Sequence, residues 1–500
     1  MKDKTTTIYK NAILNKATDV LQIFIKYIIV IISMLFLGFI FLQSFFGSTF
    51  LDFCESSFFI EKPFWSTVLI VLIPILITII VKIILQKYSI SIVTPNYIFL
   101  GIVTVVYTIL MIMFVYKTGI PAMDDQELIL NAANDLLNNV PDMWDKGAYC
   151  YRFPNQNGFV LFVALGLKIF GADNQMVFQY LNIPMLILSA FFLSKTIYLL
   201  FNDKKLARYS YILLLGFFQL NCYVTFVYGT LYGLAASVAG IFLLIKYFKK
   251  RNIVNGLVGI SLLSIGYGFK SNYLIMIVAA FLLLLFDAIV KKSLKSVITL
   301  VWGIVFYVII VTSISSTIYH LTGKKVDEGT PNTAWVAMGL QESYKAPGWW
   351  NGYNAKVFAD NEYDISKTKE AISQNISERM EELKKDKDYT MSFFSKKTAS
   401  QWSEGTFECF YITNLDRGRL SNPTWTDSVK NLMVDGHSAN RAVTTICNYF
   451  IYWFKKLHNK LNYKINSINL TSIILSLKNT LLVCSKLLKI IFTLLYFFEY

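Results

Sequence analysis

The chain has 500 residues, of which 55% are hydrophobic and 16% aromatic, and its formal net charge is +15. Apolar runs of about 18–25 residues recur along it, and each is long enough to span a hydrocarbon core of roughly 30 Å. The basic residues lie in short segments beside these runs, where they orient a membrane protein, so we expect no nucleic-acid partner and predict a multi-pass helical protein of the cell membrane.

The first candidate spans lie at about residues 23–46, 65–85 and 97–116. Lysines at 2, 4, 10 and 16 place the N-terminus in the cytoplasm, and Lys82 and Lys87 return the chain there after the second span. The first apolar run is too long for a cleaved signal peptide and lacks a small-residue cleavage site, so we interpret it as a retained span. The third span therefore delivers the polar segment 117–157 to the extracytoplasmic face.

The apolar run 158–170 is short for a span, and its interpretation decides the rest of the topology. If it crossed the membrane, the basic loop 202–208 would lie outside, whereas an interfacial helix puts that loop inside. We adopt the interfacial interpretation. Further spans are then predicted at about 176–200, 209–224, 228–245, 254–267, 273–290 and 297–318. With these spans the basic segments 246–251 and 291–295 also fall in the cytoplasm, so three basic segments agree.

Segment 321–439 is polar, rich in tryptophan and without a spanning run, so we predict an extracytoplasmic domain there. Within it, residues 365–387 have helical spacing, with Ser366 as the expected N-cap. The apolar run 442–454 precedes lysines that indicate a return to the cytoplasm, and a last span within 468–500 stays open.

These elements give three predicted parts. They are a transmembrane helical domain over 1–320, an extracytoplasmic domain over 321–439 and a membrane-associated segment over 440–500. The predicted fold class is an all-α polytopic membrane protein with about 10–11 transmembrane helices.

The six cysteines and three histidines show no metal-ligand or redox spacing, so we predict no protein-bound metal or other cofactor, although a divalent cation is not excluded. Cys150 and Cys409 both fall in extracytoplasmic segments. A disulfide between them is an open alternative, because sequence alone does not define pairing.

The polar segment 117–157 carries the chemistry. Its amphipathic run Met-Asp-Asp-Gln-Glu-Leu-Ile-Leu contains the adjacent carboxylates Asp124 and Asp125. The run Tyr-Cys-Tyr-Arg-Phe-Pro-Asn-Gln-Asn-Gly follows and leads into an apolar helix. Over about residues 122–272 this order resembles the GT-C class of multispanning glycosyltransferases, in particular the superfamily of protein O-mannosyltransferases and aminoarabinose transferases with its Gram-positive bacterial members. The resemblance implies that Asp125 is the catalytic base and that Asp124 is the neighbour that could substitute for it.

The resemblance further implies transfer of a sugar from a polyprenyl-phosphate donor to an extracytoplasmic glycan, teichoic acid or protein. Such an enzyme deprotonates an acceptor hydroxyl and stabilises the departing phosphate. Candidate substrate-binding residues fall into three groups: the cations Arg152 and Lys270, the polar neighbours Tyr151, Asn155 and Asn272, and the aromatic pair Trp349 and Trp350.

Each candidate has a structural alternative. The two aspartates suit any helix N-terminus, Lys270 could extend to the membrane interface, and Arg152 could pair with Asp142 or Asp145. The tryptophans could be ordinary interfacial residues.

The chain departs from the better-known branches of the GT-C class in two ways. Three spans precede the loop where those branches have one, and a second acidic position reads Tyr228, Gly229 and Thr230. An envelope glycan polymerase or ligase and a lipid-linked glycan flippase remain alternatives. A flippase would favour ionisable residues midway along spans and repeated halves.

Overall fold

The computed structural model describes residues 95–172, 174–413, 415, 425–434, 438–444, 446 and 447, together with scattered positions between 27 and 76 that include 46–51 and 55–61. About half of the predicted span 23–46, most of the predicted span 65–85 and of the apolar run 442–454, and the whole tail 468–500 lie outside the described residues.

The described part is mostly helical. From residue 97 to residue 322 its α-helices are α1 (Tyr97–Thr118), α2 (Asp125–Asn138), α3 (Tyr149–Arg152), α4 (Asn157–Phe170), α5 (Met176–Phe201), α6 (Lys204–Leu215), α7 (Phe218–Cys222), α8 (Thr230–Lys250), α9 (Ile253–Phe269), α10 (Leu274–Val290) and α11 (Leu294–Thr322). The polar region adds α12 (Thr333–Met338), α13 (Tyr353–Asp360), α14 (Ile365–Lys385), α15 (Lys387–Trp402), α16 (Cys409–Ile412) and α17 (Asp427–Met433). Short 3-10 turns lie at Asp142–Trp144, Pro154–Gln156, Tyr223–Thr225 and Ser271–Tyr273.

Helices α1, α5, α8, α10 and α11 are long and apolar enough to cross a membrane, and α9 is a shorter apolar helix. The predicted spans over these six helices are confirmed as helices to within a few residues. Buried side chains from most of them join α2, α4 and the connecting segments in a shared hydrophobic core. The described part of the chain is therefore a helical bundle of membrane-protein character.

Polar contacts gather the three basic segments at one end of this bundle, which we call the basic end. Arg251, after α8, pairs with Asp287 near the end of α10 at 2.7 Å, and Lys295 at the start of α11 donates to the Arg251 carbonyl oxygen at 3.1 Å. Lys249 donates to the carbonyl oxygen of Leu199, just before the loop 202–208. The basic segments therefore share one end, as the predicted topology requires.

The opposite end, which we call the loop end, carries the polar segment 117–157. The Gln179 amide near the start of α5 donates to the Ile120 carbonyl oxygen at 2.8 Å. The Tyr273 hydroxyl before α10 donates to the Thr230 carbonyl oxygen at the start of α8, also at 2.8 Å. These contacts bring the loops after α1 and α9 together with the first turns of α5, α8 and α10.

Helix α4 lies along the loop end. Gly158 packs so closely on α9 that an added Cβ would lie 2.0 Å from the Gly268 carbonyl oxygen, and one at Gly166 would lie 2.5 Å from the Phe178 ring in the first turn of α5. Both neighbours belong to the loop end, so α4 connects them there and does not reach the basic end. The interfacial interpretation of residues 158–170 stays a prediction.

The predicted single span at 209–224 is wrong. Helix α6 ends at Leu215, and α7 and a 3-10 turn complete the passage to the loop end. The Asn221 amide donates to the Leu215 carbonyl oxygen at 3.0 Å, and the Asn221 side-chain oxygen accepts from the Tyr107 hydroxyl at 2.9 Å. A polar side chain inside the apolar run thus satisfies the backbone where the helix breaks.

The polar region is also helical, and the prediction of Ser366 as an N-cap is wrong. The N-cap of α14 is Asp364, whose carboxylate accepts from the Lys367 amide at 2.9 Å. Backbone N–H groups bound to this carboxylate lower the pKa of Asp364.

A two-stranded antiparallel sheet departs from the all-α expectation, with β1 (Gly47–Leu51) and β2 (Ser57–Glu61) paired from Gly47 opposite Glu61 to Leu51 opposite Ser57. Its connecting segment docks on the polar region. Glu55 forms a buried ion pair with Lys345, and its carbonyl oxygen accepts from the Ala346 amide at 2.9 Å.

Candidate functional site

The centre of the candidate site is a hydrogen bond between Asp125 and Tyr228. The Tyr228 hydroxyl donates to Oδ2 of Asp125 at 2.6 Å. Asp125 is the first residue of α2 and is exposed, whereas Tyr228 is only 8% exposed and lies two residues before α8 begins. The carboxylate is therefore reachable from outside while a buried partner holds one of its oxygens.

Two glutamine side chains connect the segments that carry Asp125 and Tyr228. The Gln156 amide donates to the Tyr228 hydroxyl oxygen at 2.7 Å, and Oε1 of Gln126 accepts from the Val227 amide at 2.8 Å. Both glutamines are buried. The 3-10 turn before α4, the first turn of α2 and the segment before α8 are thus linked by side chains.

Lys270 completes the group. Its Nζ lies 3.3 Å from the centroid of the Tyr228 ring, in cation–π geometry, and the residue is only 4% exposed. Lys270 is the C-cap of α9 in extended conformation, and so the chain turns away from the helix there. The structure therefore brings together Asp125 and Lys270, which are far apart in sequence, through one tyrosine.

A glycine explains why Tyr228 reaches this position. Gly229 has φ of 81°, a left-handed conformation that favours glycine, and an added Cβ would lie 2.3 Å from the Phe269 carbonyl oxygen. Only a residue without a side chain lets the start of α8 approach the end of α9 so closely. This approach places Tyr228 beside Lys270.

Burial and the neighbouring carboxylate keep two tyrosines protonated. Burial raises the pKa of Tyr228 well above its usual value, and the nearby Tyr149 and Asp125 raise it further. The pKa of Tyr149 is also raised, first by burial and then by Asp125. The Tyr149 hydroxyl is buried beside Tyr228 and contributes to the raised pKa of that residue.

Arg152 lies on the polar segment 117–157, as do Asp125 and Tyr149. It ends the short helix α3, its guanidinium is 5.3 Å from the Phe153 ring centroid, and its charge opposes the rise of the Tyr149 pKa. Among the described residues it forms no ion pair with Asp142 or Asp145, and Asp145 instead pairs with Lys324. Its buried Nε has no hydrogen-bond partner in the part of the chain that the structure describes.

Three other candidates lie around the edge of this group. The Asn155 amide donates to the Ser271 hydroxyl at 3.3 Å, and that hydroxyl is 3.4 Å from the Asn272 side-chain oxygen. Tyr151 instead stacks on Phe358 of the polar region at 6.2 Å between ring centroids. Asn155 and Asn272 therefore join the loop to the turn after Lys270, while Tyr151 packs against α13.

The aromatic pair of the polar region serves two different environments. Trp349 is 2% exposed and donates from its indole to the Ser400 hydroxyl at 2.9 Å, so protein covers its ring and a sugar cannot stack on it in this conformation. Trp350 is 45% exposed, and Lys345 Nζ lies 4.8 Å from its ring centroid. Only Trp350 of this pair offers a ring face at the surface.

Asp124 is adjacent to Asp125 but differently arranged. It is the N-cap residue of α2, with φ of 53°, and its side chain does not cap the helix. Asp125, and not Asp124, receives the hydrogen bond from Tyr228.

A disulfide between Cys150 and Cys409 is not formed. Both are buried free thiols, and Cys409 lies beside Cys222, which ends α7. The disulfide that the sequence left open is therefore absent between these two residues.

The sequence did not single out Tyr149, Gln126 or Gln156 as site residues, and Tyr228 was noted only as a departure from an acidic position. Neutral side chains in apolar surroundings give no pattern by themselves.

In the described part of the chain no group of three or more His, Cys, Asp or Glu is placed to hold a metal ion. No protein-family model, curated protein or solved structure matches the chain.

Proposed function

We propose that this chain is an integral membrane glycosyltransferase of the GT-C type, which moves a sugar from a polyprenyl-phosphate donor to an acceptor in the extracytoplasmic cell envelope. The observation that carries the proposal is the exposed Asp125 carboxylate held by Tyr228, with the Lys270 ammonium over the same ring. A base and a cation thus lie within one side chain of each other at the loop end of the bundle.

In the proposed reaction, the acceptor hydroxyl oxygen attacks the anomeric carbon of the sugar while Asp125 takes the hydroxyl proton. The bond between that carbon and the phosphate oxygen breaks, and polyprenyl phosphate leaves with the electron pair. Lys270 and Arg152 offset the negative charge on the phosphate. The donor is already activated, so the protein needs only to position the two substrates, accept one proton and stabilise one leaving group.

The placement of the basic segments supports the sidedness of this proposal. They meet at the basic end, and Asp125, Lys270 and Arg152 lie at the loop end. Because basic segments favour the cytoplasmic face, the loop end faces the outside in this proposal. A lipid-linked sugar presented in the outer leaflet would lie at the level of the two cations. Lys270 is only 4% exposed, so in this proposal the segments around it move apart when the lipid phosphate reaches its ammonium.

The test uses the purified full chain in nanodiscs with a panel of radiolabelled polyprenyl-phosphate sugars and an envelope acceptor fraction. We expect label to reach the acceptor from at least one of these donors without nucleotide. The variant Lys270→Met should raise the donor KM more than it lowers kcat, because the lipid phosphate is charged before the reaction begins. The matched control is Lys204→Met, which removes a lysine from the basic end.

Four outcomes would contradict the proposal. The first is no transfer from any donor of the panel, and the second is transfer that requires a nucleotide sugar. The third is movement of a labelled lipid between leaflets without transfer, which would instead indicate the flippase alternative. Extension of the product by whole repeat units from a pyrophosphate-linked oligosaccharide would indicate the polymerase alternative.

A further inference from the structure

We infer that Tyr228 is a positioning residue for Asp125, because its hydroxyl, held by Gln156, fixes one carboxylate oxygen and leaves the other for the acceptor hydroxyl. The inference rests on the proposed function, in which Asp125 is the base. It assigns a role to a residue that touches neither the sugar nor the phosphate in that reaction.

The direction of the hydrogen bonds follows from the chemistry of the groups. An ionised carboxylate only accepts hydrogen bonds, so the Tyr228 proton must point to Oδ2 of Asp125 over the 2.6 Å contact. The Tyr228 oxygen is then left as an acceptor, and the Gln156 amide nitrogen donates to it at 2.7 Å. The hydrogen-bond chain therefore runs in one direction, from Gln156 through Tyr228 to Asp125.

Burial makes this chain a fixed support. Gln156 is 5% exposed and Tyr228 is 8% exposed, whereas Asp125 is exposed at the first turn of α2. Asp125 has no hydrogen bond to another described side chain that would orient it. An exposed aspartate without this partner would sample several side-chain rotamers, and the fraction in the reactive orientation would fall.

The charged and titratable groups around Asp125 do not replace this support. Asp124 and Glu127 lie on the same turn and carry the same charge, so they repel the carboxylate. Tyr149 lies close enough for Asp125 to raise its pKa, and Lys270 contacts the ring of Tyr228. Tyr228 is the neighbour that donates a hydrogen bond directly to Asp125.

The experiment replaces only the hydroxyl. Tyr228→Phe keeps the ring that Lys270 contacts and removes the donor to Asp125. We expect kcat to fall about tenfold while the donor KM stays within about twofold, since orientation of the base affects the transition state more than donor binding. The matched control is Tyr232→Phe, because Tyr232 is buried on α8 and donates to the Phe178 carbonyl oxygen, away from Asp125.

A double-mutant cycle separates positioning from a general structural role. If Tyr228 acts through Asp125, Tyr228→Phe should change the residual rate of Asp125→Asn by less than about twofold. A purely structural loss would lower both backgrounds by the same factor. Equal losses in the two backgrounds, or an unchanged kcat in the single variant, would overturn the inference.

A second measurement needs no sugar transfer. A water-soluble carbodiimide labels accessible carboxyl groups, and peptide mass spectrometry reports the rate at Asp125. We expect labelling of Asp125 in Tyr228→Phe to be several-fold faster than in the parent and in Tyr232→Phe. If the parent transfers no sugar, the proposed function fails while this measurement still reports the bond. If transfer occurs and Asp125 labelling is unchanged, only the positioning inference fails.

Discussion

Replacing Asp125 with Asn is the most direct test of the assigned base. The change keeps the shape of the side chain and removes its charge and its ability to take a proton. The amide oxygen of Asn can still accept the hydrogen bond that Tyr228 donates over 2.6 Å, so the contact that joins α2 to the segment before α8 can persist. The structure therefore predicts a folded protein with a specific catalytic defect.

The two expected magnitudes differ strongly. Asp125 is exposed in the first turn of α2, where a carboxylate near a helix N-terminus contributes about 0.3–1 kcal/mol to stability. Loss of a general base lowers the rate by about 10²–10⁴, and at about 1.36 kcal/mol per tenfold change this raises the barrier by roughly 2.7–5.4 kcal/mol. The effect on the rate should therefore exceed the effect on folding several-fold.

The assay measures the initial rate of label transfer in nanodiscs at saturating donor, with thermal unfolding followed on the same preparations. Asp124→Asn is the matched control, because it removes the neighbouring charge and keeps the size and shape of the side chain. Parental transfer by Asp125→Asn with an inactive Asp124→Asn would show that the two carboxylates have been assigned the wrong way round. If both variants stay active, the catalytic interpretation of this loop fails.

The remaining predictions concern the backbone at the site and the orientation of the bundle. Gly229→Ala should lower the free energy of unfolding in detergent by about 1–3 kcal/mol, because it forces a residue with a Cβ into a positive φ against the Phe269 carbonyl oxygen. A thermal melt compares this variant with Gly101→Ala, where an added Cβ would have no atom within 4 Å. In a background without native thiols, Lys204→Cys in intact cells should be shielded from an impermeant thiol reagent and Glu328→Cys should react. Labelling of both would contradict the orientation.

The sequence predicted the regular helices of the bundle well. The predicted span 176–200 is Met176–Phe201, and the predicted span 273–290 is Leu274–Val290 preceded by a 3-10 turn. Long apolar runs and flanking basic residues are local signals, and the helices they indicate do not depend on distant partners. Each such helix is stabilised by burial of its own apolar surface and by hydrogen bonds within its own backbone, so a local pattern is enough to predict it.

The breaks and caps of the fold depend on contacts that no local pattern contains. The interruption after Leu215 involves Asn221 and Tyr107, which are separated by 114 positions in the chain. At α14 we predicted Ser366 as the cap, whereas the cap is Asp364, two residues earlier; both residue types cap helices, and the backbone conformation decides between them. A hydropathy window averages over both features, and so it misses them.

The site was predicted unevenly for the same reason. Asp125 and Lys270 carry charge beside apolar runs, and such residues are conspicuous in a membrane protein. Gln156 and Tyr149 are neutral, and their importance appears only when α2, α4 and the segment before α8 pack together. Sequence reasoning therefore singled out the charged residues of the candidate site but not the neutral side chains that connect them.

The tyrosine at position 228 also has a chemical consequence that a carboxylate there would not have. A second carboxylate beside Asp125 would repel it and could not donate a hydrogen bond while ionised. It would also form an ion pair with Lys270 and offset the charge of that ammonium. A tyrosine instead donates to Asp125 through its hydroxyl and contacts Lys270 through its ring, an interaction worth about 0.5–2 kcal/mol that leaves the cation formally charged. In the proposed function, the neutral residue would therefore hold the base and the cation close together while preserving the positive charge that offsets a lipid phosphate.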